Sequence, residues 1–450
     1  MKKIFFILFC FSISVSVFSQ ENKENLEDEL FGNDENTVLT QEETKKENVA
    51  NNLKLTGDLN AAQVSLENSK LRIGGSLNSR LVLDFIWEEP YSKKEDYKKS
   101  FLNNERSLKT VLGASLFFDA RPVENLKLYG KFIFGFPFEK NLNGSVLNKD
   151  KEPVAPVTVN GSPNIKIQEL YTDFSAKDIV FFRFGKHAVK WGTGYFYSPA
   201  DVINISRIDP KHPELDREGA VSLRTHIIIP KSQHNIWLYL LPDTSSFLPE
   251  NTAGAAKAEF VIGDWELGIG GWYRYKKAPR LISTLSGSIA GTVGIFAEGV
   301  FAWGSDYVYT NKDTTSVYEE KNKPFFQATI GASYSSSKTD TSVSAQYFYN
   351  GFGKKNPSEA VNGNGNKGQH YIALSVSQNK IGTDKLSAIM FQEFRISESE
   401  GHTSLNLNWK IYKFASMSTG PNFTYPLSKN STSKGSIGYS LSFKLGGGNF

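Results

Sequence analysis

Between Phe182 and Leu223 the chain sets Lys186, Lys190, Arg207, Lys211 and Arg217 against Asp201, Asp209, Glu214 and Asp216, in a stretch rich in glycine and aromatic residues. Opposed cations and carboxylates carried by one loop create a transverse field, the device by which a water-filled passage sorts solutes. The same stretch holds Trp191, Tyr195, Phe196 and Tyr197, more apolar surface than a disordered loop carries. A long excursion within a compact architecture is usually functional. Residues 186–219 are therefore the candidate constriction, with Lys186, Lys190, Trp191, Asp201, Arg207 and Arg217 narrowing it or touching a solute. The alternative is that the aromatic residues pack the loop onto a rim and leave its charges in solvent.

Other reactive-looking groupings lead nowhere comparable. His212, Glu214 and Asp216 alternate as metal ligands could, but no second histidine stands at a zinc-motif spacing, so no metal is expected. Gly363, Gly365 and Gly368 match Gly-x-Gly-x-x-Gly in form. A dinucleotide site needs that turn after a buried strand and before a helix, whereas here it precedes the strand near His370, and a flexible loop is the reading. There is no Gly-x-Ser-x-Gly elbow, and His187, His212, His226, His234, His370 and His402 are scattered. A triad assembled from separate strands is the enzymatic reading left, so neither an enzyme nor a cofactor is expected. Cys10 is the only cysteine, which removes disulfides, thiolate metal sites and a cysteine nucleophile from the chain beyond it. Nothing points to nucleic acid.

The elements that must position the loop are strands. In Leu71–Phe85, Leu71, Ile73, Leu77, Leu81, Leu83 and Phe85 share one face, and Arg72, Asn78, Arg80 and Asp84 share the other. Similar segments recur at 108–120, 126–138, 165–176, 179–186, 219–229, 234–241, 255–262, 265–275, 281–289, 294–303, 324–335, 341–352, 370–378, 386–396, 403–412, 414–426 and 434–445. That gives about 18 strands, with 16 as the neighbouring even number. Aromatic residues reach 13% while the mean hydropathy is −0.35, as when only alternate residues face lipid and rings mark both interfaces. The predicted fold is all-β, a transmembrane antiparallel barrel over residues 71–450. At ~16–18 strands it is wide enough for an aqueous channel.

Two segments precede the barrel. Lys2 and Lys3, an apolar run from Ile4 and small residues at Val17-Phe18-Ser19 form a secretory signal over 1–19, cleaved before Gln20. Residues 20–70 read as an acidic, flexible periplasmic tail, poor in large apolar side chains.

The segment around residues 165–225 resembles porin-like outer-membrane barrels of the alginate-export kind and related uncharacterised families. The matching residues are Gly185, Lys186, Trp191, Gly192, Gly194, Pro199, Asp201, Asn204, Arg217 and Gly219, after Gln168-Glu-Leu-Tyr-Thr-Asp-Phe174. The resemblance implies a barrel and passage of a polar solute, and names no substrate. Outer-membrane barrels also commonly end on an aromatic residue, as here at Phe450, which implies recognition by the barrel-assembly machinery. Gly446–Gly448 puts Phe450 out of phase with Phe443.

The formal charge of +4 divides into +2 over residues 1–20, −7 over 21–50 and +9 over 51–450. If the excess cations line the lumen, anions are favoured. The expected function is passive diffusion of small hydrophilic solutes through a bacterial outer-membrane porin-like channel, with lipid around it. The second reading is a structural or adhesive barrel whose long loops, near 90–105, 140–163, 305–323 and 353–367, bind host or envelope partners.

Overall fold

A ribbon apolar on one face and polar on the other must satisfy two environments, and a sheet closed on itself does so without an unpaired edge. The computed structural model has this form and describes residues 70–449 apart from 92–104, 137–163, 177–178, 246–247, 311–316, 361–365, 429–430 and 432. Its strands are β1 (Leu71–Glu88), β2 (Glu105–Val123), β3 (Leu126–Phe136), β4 (Asn164–Ala176), β5 (Val180–Lys186), β6 (Val221–Ile228), β7 (Asn235–Leu241), β8 (Ala253–Ile262), β9 (Trp265–Tyr273) and β10 (Arg280–Ile289). They continue as β11 (Val293–Trp303), β12 (Val308–Thr310), β13 (Val317–Glu319), β14 (Pro324–Ser336), β15 (Thr341–Asn350), β16 (His370–Gln378), β17 (Leu386–Arg395), β18 (Glu400–Tyr412), β19 (Ala415–Pro426) and β20 (Ser436–Asn449). All but β12 and β13 form one 18-stranded sheet in which each strand pairs antiparallel with its neighbours in the chain. β20 returns to β1, with Ser76 opposite Asn449 and Glu88 opposite Ser436, and that pairing seals the ring. The chain is thus the closed all-β barrel that the alternation predicts, with the higher of the two expected strand numbers.

The two faces sort by polarity. On β7, Trp237, Tyr239 and Leu241 are buried while Leu238 and Leu240 are exposed; on β11, Glu298, Val300 and Ala302 are buried while Phe301 and Trp303 are exposed. Leu77, Leu281, Ile330 and Leu407 extend the exposed apolar face around the ring. A water-soluble protein does not leave so broad an apolar belt open, and a barrel with this belt outside and polar residues inside is built for lipid. Inward positions carry Glu298, Gln327, Thr329, Gln346, Asn350 and Glu393, all buried.

The barrel ends differ. One has tight turns such as β2–β3, β8–β9 and β18–β19, and also holds the start of β1 and the end of β20. The other has the long connections β3–β4, β5–β6, β11–β14 and β15–β16. Outer-membrane barrels keep short turns in the periplasm and long loops outside. Two segments expected to be plain loops are partly folded. β12 pairs with β13, and Tyr309 bridges to Ala360. Tyr307, Tyr309, Phe352 and Ala360 share a small core, with the Tyr309 hydroxyl donating to Phe352 O at 2.9 Å.

The phase slip near the C-terminus is a bulge. Gly446 has φ +74°, its N–H donates to Phe414 O at 2.8 Å, and the β1–β20 register shifts between Asn78 and Arg80. Phe450, the signal at 1–19 and the acidic tail as far as Ser69 lie outside the described residues.

Candidate functional site

Residues 187–220 connect β5 to β6 without a regular element. Counting around the 18-strand ring, β16 and β17 lie across from β5 and β6. The connection reaches them. The Tyr197 hydroxyl donates to Glu393 Oε1 on β17 at 2.6 Å, and Phe196 and Tyr197 pack on Phe391 and Phe348 at 5.7 and 5.2 Å between ring centres. On β15, Gln346 Oε1 accepts from Phe196 N–H at 2.7 Å and its Nε2 donates to Tyr197 O. These partners all occupy the face opposite the exposed apolar belt, which in a closed barrel is the inside.

The tightest fastening is Glu298 on β11. Its carboxylate accepts from Thr193 N–H and Gly194 N–H at 2.5 Å each, from Ser198 Oγ at 2.9 Å and from Ala200 N–H at 2.9 Å. A buried carboxylate is tolerated only when its oxygens are met this way. The Trp-Gly-x-Gly motif follows from this contact, since a Cβ at Gly192 would collide with Ser198 Oγ and with the Glu298 carboxylate. Trp191 is 1% exposed and meets Tyr239 edge-on at 5.1 Å, while Lys257 Nζ donates to Trp191 O at 3.1 Å and pairs with Glu259 at 2.7 Å.

The returning limb is tied to the near wall. Lys186 and Lys166 both pair with Glu218 at 2.7 Å, and Lys131 pairs with Asp216 at 2.7 Å. Arg217 pairs with Asp201, which also accepts from Asn204; Asn204 in turn brackets Val189 by accepting from its N–H and donating to its carbonyl. Gly219 passes so close to His187 O that a Cβ would overlap it, which accounts for the Arg-x-Gly pattern.

Of the six sequence candidates, Asp201 and Arg217 meet each other, Lys186 is held by Glu218, and Trp191 is an anchor with almost no free surface. Lys190 and Arg207 are exposed. Residues that the loop's own sequence did not reveal are Lys257, Glu298, Gln346 and Glu393, each on a distant strand. Their signal was present in form, as charged or amide side chains on inward strand positions, where an unpaired one would be costly.

Several loop groups have shifted protonation. Burial, then the neighbouring Glu393, holds the Tyr197 phenol protonated well above its ordinary range. Hydrogen bonds from Lys166 and Lys186 hold the Glu218 carboxyl below the usual carboxylate range. His187 is pushed down to about 3 by burial, then by Arg183 and Arg224, while its Nδ1 lies 3.1 Å from Gly185 O. A histidine with a lowered folded value stays neutral while the unfolded chain protonates, so stability falls as pH drops from about 6.5 toward 3, by a few kcal/mol in all. Glu218 acts in the same direction, its contribution being lost as pH falls through its depressed folded value. The thermal unfolding temperature is expected to fall between pH 7 and pH 4, and H187N to flatten that dependence. An equally steep fall in the variant would assign the effect to other groups.

No protein-family model matches the sequence, and no curated protein matches it. Among solved structures, OccK8 (OprE) of Pseudomonas aeruginosa is similar at 10% identity and TM-score 0.47, covering 84% of this chain and 98% of that one. The outer-membrane protein opdK of Pseudomonas aeruginosa gives 8% and 0.45 over 84% and 99%, and the outer-membrane channel DcaP of Acinetobacter baumannii gives 11% and 0.41 over 84% and 98%. At such identities and scores the likeness is one of barrel shape and carries no function over to this chain.

Proposed function

We propose that the protein is a porin-like channel of the bacterial outer membrane through which small hydrophilic solutes diffuse, and that residues 187–220 narrow its passage. The observation that supports this most is the reach of the loop from β5 and β6 to Glu393 on β17, across the ring. A loop lying on a rim would need none of the fastenings to Glu298, Gln346 and Lys257. Lys190 and Arg207, exposed on the loop, are the charges a solute would meet, and excess cations lining the lumen would favour anions. The adhesive reading draws on the folded layer around Tyr309 and Phe352.

Single-channel recording in planar bilayers tests the proposal. The mature protein is expected to give stable current steps that grow when the 187–220 loop is shortened. A folded, membrane-inserted protein that never conducts would overturn the channel and favour the adhesive barrel.

A further inference from the structure

Where the last strands meet the first, the registers place residues 385, 410, 416, 444 and 80 in one row. Leu386 stands opposite Trp409 and Lys410 N–H donates to Lys385 O at 2.8 Å, so Lys385 faces Lys410. Lys410 is opposite Ser416, Ser416 opposite Lys444, and Lys444 opposite Arg80. Directly opposed residues on antiparallel strands project to the same side of the sheet. Here that side is the inside, because Trp409, Ile411, Leu445, Leu77 and Leu83 hold the other face and are exposed. With neighbouring strands ~4.8 Å apart, the row covers about 19 Å of inner wall. It also climbs, since barrel strands are tilted: Lys410 is near the short-turn end of β18 and Arg80 is midway along β1.

Lys385, Lys410, Lys444 and Arg80 are all exposed, and among the described residues none pairs with a carboxylate; Arg80 Nε donates to Asn78 Oδ1 at 3.4 Å. The carboxylates on β18, β19, β20 and β1 are Glu400, Asp84 and Glu88, all toward the long-connection end, and Asp84 is engaged by Ser440 at 2.8 Å. Asp384, next to Lys385, accepts from Thr383 at 3.2 Å. The inner positions flanking the row on β18, β19, β20 and β1 include Asn408, Ser418, Ser442 and Asn78, which carry no charge. Like charges directly opposed across a strand pair repel. Two such pairs, Lys385 with Lys410 and Lys444 with Arg80, stand either side of Ser416 with no protein anion between them.

We propose that these four cations and Ser416 form an inner-wall station for multivalent oxyanions, of which inorganic phosphate is the simplest. Each opposed pair offers two charged donor heads to the oxygens of one anion, an arrangement that serves phosphate better than a monovalent halide. The role of the station in permeation rests on the channel reading, whereas its binding does not.

The test has two arms on the full mature chain. In potassium chloride bilayers, added phosphate is expected to reduce the wild-type current in a saturable way. Replacing Arg80 and Lys444 together with glutamine should raise the half-saturating phosphate concentration roughly tenfold, as expected from losing charged hydrogen-bond donors. The turn variant K338Q should leave it unchanged. In parallel, equilibrium dialysis of detergent-solubilised protein measures phosphate binding without requiring conduction. Wild type that binds no phosphate, or the double variant binding as well as wild type, would overturn the station. Phosphate binding that depends on Arg80 and Lys444 in a barrel that never conducts would uphold the station and overturn the channel.

Discussion

Replacing Glu298 with alanine is expected to raise single-channel conductance and current noise while leaving the barrel assembled. The carboxylate takes hydrogen bonds from Thr193 N–H, Gly194 N–H, Ser198 Oγ and Ala200 N–H. Each buried donor left unmet costs ~1–3 kcal/mol. The remaining fastenings, Gln346 to Phe196 and Tyr197, Glu393 to Tyr197 and Lys257 to Trp191, are fewer and hold separate points of the loop. The seated state should therefore become a minor or fluctuating one. Strand pairing around Glu298 is made by backbone groups, with Thr284 and Thr329 as its cross-strand neighbours, so the ring should survive. E298Q keeps one acceptor oxygen but turns an amide donor toward the N–H groups, and an intermediate conductance is expected. Wild-type conductance and noise in E298A would mean that the loop does not limit the passage.

The second large effect concerns adjacent residues on β18. Leu407 is exposed on the apolar face, and Asn406 points the other way. Arginine on the lipid face of a barrel near the bilayer midplane costs ~2–4 kcal/mol, while a lumen position tolerates charge. L407R is expected to lower the fraction of folded protein in lipid vesicles, read as heat-modifiable migration on gels, or to shift its urea midpoint downward. N406R should fold like wild type and alter only ion selectivity. Equal tolerance of both substitutions would contradict the assignment of faces, and with it the inward direction of every loop partner named above.

Much of the ring was legible because alternation is local: two residues of spacing are enough to define a face, and each of the eighteen predicted segments corresponds to a barrel strand. The ends were less so. β2 continues through Arg121 and Pro122 to Val123, past the expected turn, because the register slips between Ala120 and Val123. β12 and β13 were missed since three-residue strands have no period to detect, and they depend on Phe352 and Ala360 from another connection. The loop announced itself by length, glycine and tryptophan, but its partners could not. Which inward side chain meets Thr193 or Tyr197 depends on ring closure, and Glu298 lies far along the chain from both. Glu218 adjoins the candidate Arg217 and holds Lys186, yet nothing local marked it as the more important acid.

The seal between β1 and β20 also governs the order of events during biogenesis. The first strand cannot find its second neighbour until the last has been synthesised, and the contacts join residues as far apart as Ser76 and Asn449. Contacts that remote are slow to form, because the entropy of closing the intervening loop must be met beforehand. Throughout that interval β1 and the newest strand present rows of unpaired backbone groups, the kind of edge that templates aggregation. Losing β20 would leave an open sheet with two raw edges, with no smaller ring as its natural fallback.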